Sequence, residues 1–84
     1  MLNQLFQRIP LGYTKATYRD QTWGVSHTRY ANGRSGKIFA EQLGGTDFVS
    51  CNYYFGKEKV HLKPCEMPTA KVLDFLREVQ FSKA

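Results

Sequence analysis

The stretch at residues 43–55 constrains the fold most. It reads Leu-Gly-Gly-Thr-Asp-Phe-Val-Ser-Cys-Asn-Tyr-Tyr-Phe, a double-glycine turn leading into aromatic and β-favouring residues with no proline among them. Such a run fits a pleated, half-buried surface better than a helix. With a period of two, Val49, Cys51, Tyr53 and Phe55 share one face, while Phe48, Ser50, Asn52 and Tyr54 share the other. The first set is the drier, so it is expected to meet the core and the second to face outward.

Strands are expected on both sides of this stretch. Residues 13–18 are rich in Thr and Tyr, and Arg19-Asp20-Gln21-Thr22 reads as a polar turn. Residues 23–30 alternate, with Trp23 and Val25 on one side against Ser26, Thr28 and Tyr30. Asn32-Gly33 is a strong hairpin signal, since both residues tolerate positive φ. Arg34, Ser35 and Gly36 loosen that turn. Residues 37–43 return as a third strand, although Ala40-Glu41-Gln42-Leu43 would also suit a helical turn. Gly56-Lys57-Glu58-Lys59 is a polar hairpin loop, and residues 60–63 make a short strand that Pro64 ends or confines to an edge.

The two ends read differently. Leu2, Leu5, Phe6 and Ile9 precede Pro10 at helix-like spacing, so residues 1–10 form either a turn or two of docked helix or an extended arm. Pro68 suits the first turn of a helix, and Thr69 beside it can cap. Over residues 68–81, Val72, Phe75, Leu76 and Val79 recur at i, i+3, i+4 and i+7 as one apolar stripe. The expected architecture is a single α+β domain over residues 1–84. About five antiparallel strands in residues 13–63 form a meander, and one C-terminal helix packs on one face.

Eighty-four residues hold one core and no more. A chain of this size buries only about 60–65% of its unfolded surface, so pairing with another chain would help it. No apolar run approaches the ~20 residues of a membrane span, and the first ten residues lack the pattern of a secretory signal. A cytoplasmic location without membrane contact is the expectation. The net charge of +5 favours anionic partners, but it is dispersed: residues 1–47 hold six basic and three acidic side chains, and residues 48–68 hold three and two.

Chemistry-bearing clusters are sparse. His27, Cys51, His61 and Cys65 lack the paired spacing that pre-organises zinc ligands, so neither a metal nor a cofactor is expected. Two cysteines in a cytosolic chain read as free thiols. Cys65, following Lys63 and preceding the helix, is the better candidate for a reactive thiol and a distant third functional reading; no catalytic signature points to an enzyme. Gly44-Gly45-Thr46-Asp47 lacks the Gly-Lys-Ser/Thr and the helix of a P-loop. For binding, the candidates are Tyr30, Ser50, Asn52 and Tyr54 on the wetter sheet face, with Arg29, Arg34, Lys37 and Lys57 around them. Aromatics on a strand surface rimmed by cations can hold single-stranded nucleic acid, and Phe48-Val49 matches one fragment of an RNP1 strand whose K/R-G-F/Y-G/A part is absent. Tyr, Trp and Phe suit a protein interface equally. A protein partner or a second copy, through the open face or edge, is placed first and nucleic acid second.

Leu43-Gly-Gly-Thr-Asp-Phe-Val-Ser and Leu62-Lys-Pro-Cys-Glu-Met-Pro68 resemble segments of small bacterial proteins of uncharacterised function, over about half of the chain. That resemblance implies a small soluble bacterial domain with no assigned activity, and it carries no functional residues across.

Overall fold

The structure, a computed structural model, describes residues 2–81. The chain runs α1 (Leu2–Gln7), β1 (Gly12–Tyr18), β2 (Gln21–Tyr30), β3 (Ser35–Gln42), β4 (Phe48–Phe55), β5 (Val60–Pro64), α2 (Thr69–Glu78) and β6 (Gln80–Phe81). One antiparallel sheet contains all six strands in the order β5-β4-β3-β2-β1-β6. The first five form the expected meander, and both helices lie on one face. Among the described residues no helix is long and apolar enough to cross a membrane.

The sixth strand corrects the expectation that the helix continues to residue 81. Val79 adopts extended angles (φ −63°, ψ 139°) while its N–H still bonds the Phe75 carbonyl. The chain then drops beside β1, where Phe81 and Gln80 pair with Ala16 and Thr17. Val79 stays fully buried, so it keeps its place in the apolar stripe and periodicity alone does not mark the break. Thr69 is also corrected: Pro68 is the N-cap, no side chain caps the helix, and Thr69 is the first helical residue.

Turn chemistry sets the register. Arg19 and Asp20 both have positive φ (50° and 63°) between the paired residues Tyr18 and Gln21. A two-residue loop of that kind matches the twist of the strands it joins. Its tip is tied to α2, because Arg19 Nε and Nη2 donate to the Glu78 carboxylate at 3.1 and 3.3 Å. The pair is exposed and contributes little to stability. Asn32 and Gly33, at φ 58° and 86°, lie in a looser loop of residues 31–34 that carries a single 3₁₀ turn. β3 stays extended through Gln42, since Ala40 is paired on both sides, with Val25 and Val49.

Between sheet and helices the aromatic residues form two groups. Tyr18, Trp23 and Phe75 meet edge-on or tilted, with centroids 4.9–5.5 Å apart, beneath α2. Phe6 of α1 stacks on Tyr53 at 4.0 Å, and Phe55, half-buried, packs edge-on to Tyr53 at 5.5 Å. A side chain at Gly36 would collide with the Tyr53 ring, so glycine there lets the ring lie flat on β3. Val72, Phe75, Leu76 and Val79 are all fully buried. Each such side chain contributes roughly 1.5–3 kcal/mol by transfer from water. The N-terminal segment is held by Arg8, which donates to the carbonyls of Leu76 (2.7 Å) and Val79 (2.6 Å). It thereby satisfies carbonyl groups that the end of α2 would otherwise leave unpaired.

Candidate binding face

Cross-strand register sorts the uncovered face into bands that run across the strands. Lys15, Gly24, Glu41 and Phe48 form one; Tyr13, Ser26, Phe39 and Ser50 form the next. Thr28, Lys37, Asn52 and Lys63 follow, and Tyr30, Ser35, Tyr54 and His61 complete the series. Large apolar side chains exposed among the described residues are Leu11, Tyr13, Tyr30, Phe39, Phe48 and Tyr54. Five of these six stand in the bands, and Leu11 lies just ahead of β1.

Their neighbours explain why these rings remain on the surface. Tyr13 is 60% exposed, and its ring lies across Gly24 on the adjacent strand, where any side chain would strike it. Phe39 and Phe48 lie with centroids 6.2 Å apart and planes tilted by 30°. Lys63 Nζ is 6.0 Å from the Tyr54 ring centroid. Lys71, from the first turn of α2, is 5.8 Å from the Phe48 ring and bonds Asp47 at 2.6 Å. That bond holds the Asp47 carboxyl below its ordinary pKa. Among the described residues, Lys15, Lys37 and Glu41 have no ion-pair partner.

At the β3–β4 end the face dips into a shallow dish of about 600 Å³, lined by Phe39, Glu41, Phe48 and the loop of residues 42–47. Gly44 turns that loop with φ 80°. Glu41 is the only acidic residue in any of the six strands.

Five of the eight residues singled out from the sequence lie on this face: Tyr30, Lys37, Ser50, Asn52 and Tyr54. Ser50, at 5% exposure, is buried within it. Arg29 lies on the other side of β2, in register with Gly36 and Tyr53, where its positive charge partly offsets the rise that burial gives the Tyr53 pKa. Arg34 and Lys57 belong to loops beside the face, and Arg34 Nε donates to the Ala31 carbonyl at 3.4 Å. The face also holds Tyr13, Lys15, Phe39, Glu41, Phe48 and Lys63. Alternation along β4 already turned Phe48 outward; Phe39 and Tyr13 become part of the face only through pairing with neighbouring strands.

The other chemistry-bearing groups are dispersed. His27, 1% exposed, is a core residue: its ring nitrogens bond the Ile9 carbonyl (2.9 Å) and the Tyr53 hydroxyl (2.6 Å). With Nδ1–H donating to the carbonyl and Nε2 accepting from Tyr53, the neutral ring satisfies both contacts. Burial lowers its pKa. Cys51 is buried, and burial pushes its thiol up to about 12, with Cys65 adding to the effect. Cys65 is also a free thiol, and its Sγ accepts from Asn52 Nδ2 at 3.6 Å. Among the described residues no three of His, Cys, Asp and Glu converge as a metal site.

No protein-family model, curated protein or solved structure matches this chain. The chemistry of the uncovered face is therefore the guide to function.

Proposed function

We propose that the protein is a binding module whose uncovered sheet face holds single-stranded nucleic acid. The observation that carries this reading is the alternation, on one face, of exposed rings with unpaired lysines. Rings at Tyr13, Phe39, Phe48 and Tyr54 offer surfaces on which unstacked bases lie, and Lys15, Lys37 and Lys63 attract the phosphates between them. A duplex keeps its bases stacked on one another and would leave the rings unused.

The same arrangement argues against the alternatives. Protein interfaces are depleted of lysine at their centre, whereas Lys37 stands on an interior strand of this face. Two copies placed face to face would set lysine against lysine, with one strand carboxylate each to offset it, and like charges across an interface are costly. A protein partner, first in the reading of the sequence, would have to be acidic.

Fluorescence anisotropy with a labelled oligo(dT) of about 12 nucleotides tests the proposal. Binding is expected at low salt, and log K should fall with log salt at a slope of about −2, as three phosphate contacts to a single strand require. An absence of binding at about 50 mM salt, or an affinity indifferent to salt, overturns it. Capture of an acidic peptide by the same face in place of the oligomer would move the assignment to a protein partner.

A further inference from the structure

We propose that the dish at the β3–β4 end is a base-selective pocket, and that the base it takes is guanine. This rests on the nucleic-acid reading above and adds selectivity to it.

Glu41 is the anomaly that points there. A surface built only to attract phosphate gains nothing from a carboxylate among its lysines, because like charges repel. Yet the one strand carboxylate stands directly across from Phe48 and two residues along β3 from Phe39. It has no hydrogen-bond or ion-pair partner among the described residues. Asp47, at the same end of the sheet, is by contrast bound to Lys71.

Charge and shape agree on the occupant. The dish, about 600 Å³, falls within the range of about 300–1,000 Å³ in which small ligands are held. Phe39 and Phe48 supply the apolar floor for a planar ring, as base stacking on aromatic side chains requires. An ionised carboxylate accepts and cannot donate. Guanine alone among the common bases presents two adjacent donors, N1–H and N2–H₂, on its pairing edge. A carboxylate takes both at once through its two oxygens. Cytosine, adenine and thymine each set a single donor beside an acceptor that Glu41 would repel.

The test compares labelled oligo(dT) with the same oligomer bearing one central dG or one central dA. The wild-type protein is expected to bind the dG oligomer about tenfold more tightly than oligo(dT), as one bidentate base contact implies. The dA oligomer, which stacks as well but offers one donor, should bind like oligo(dT). In Glu41→Gln the preference for dG should vanish, while affinity for oligo(dT) is retained or increased. Equal binding of all three oligomers by the wild type overturns the pocket and leaves the nucleic-acid reading standing. So does a dA preference equal to that for dG, or a dG preference that survives Glu41→Gln. Failure to bind any of the three at low salt removes both readings.

Discussion

Tyr53 and Tyr54 are neighbours on β4 with opposite surroundings. Tyr53 is fully buried, stacked on Phe6, and its hydroxyl donates a hydrogen bond to His27 Nε2. Tyr54 is 45% exposed and has a lysine at 6.0 Å from its ring. The same contrast runs across the whole sheet. On the covered face the aromatic rings pack against one another beneath two helices. On the open face they lie beside Lys15, Lys37 and Lys63, with serine, threonine and glycine spacing them apart. Aromatic content alone therefore does not distinguish a core from a binding surface. What distinguishes them is whether the neighbouring side chains close over the ring or leave its face to solvent.

Matched substitutions on the two faces measure that difference. Phe75→Ala should cost about 3–5 kcal/mol, much of the stability available to a small domain, and leave little folded protein by circular dichroism. Phe48→Ala should leave the unfolding free energy within about 0.5 kcal/mol of wild type, yet weaken binding to oligo(dT) by about fivefold or more. Equal stability losses from the two would show that the open face is part of the core.

The tyrosine pair gives a smaller contrast. Tyr53→Phe leaves His27 Nε2 without its donor in a buried site, and should cost about 1–3 kcal/mol in denaturant unfolding. Tyr54→Phe should be neutral within about 0.5 kcal/mol. Should the two behave alike, the buried hydrogen bond does not distinguish the faces.

The smallest effect is in pH dependence. Burial lowers the His27 pKa from its ordinary 6.5, so the unfolded chain takes up this proton more readily than the folded one. Stability is then complete above about pH 6.5 and is lost as pH falls toward the folded pKa. The melting temperature should decline between about pH 7 and pH 5. His27→Gln should flatten that decline, and a decline as steep in the variant as in the wild type would assign it to another group.

Most of the covered face was legible in the sequence. The alternation of Val49, Cys51, Tyr53 and Phe55 and the stripe of Val72, Phe75, Leu76 and Val79 are period-2 and period-3.6 patterns, and all of these but the half-buried Phe55 are buried as expected. The break after Glu78 was not legible, because Val79 is buried whether it ends a helix or precedes a strand. The open face was legible only in part, for a different reason. Alternation assigns Phe48 and Tyr54 to a side, but the bands depend on register, and register depends on turns. The reading of residues 19–22 as the turn concealed the two-residue loop at Arg19-Asp20, and with it the pairing that lays Tyr13 over Gly24. Glu41 gave no signal at all in a stretch that also suited a helical turn.

The pairing of β6 with β1 has a consequence for how the chain is made. The last described strand completes the edge that the first strand began. A ribosome therefore delivers the whole meander before it delivers the cover for that sheet. Residues 65–81 follow β5 and take about 1–3 s to synthesise. A sheet that formed before residues 65–81 arrived would have only α1 to shield Val25, Ile38, Val49 and Tyr53. A chaperone that holds the bare sheet until residues 65–81 arrive would raise the share of chains that reach the folded form.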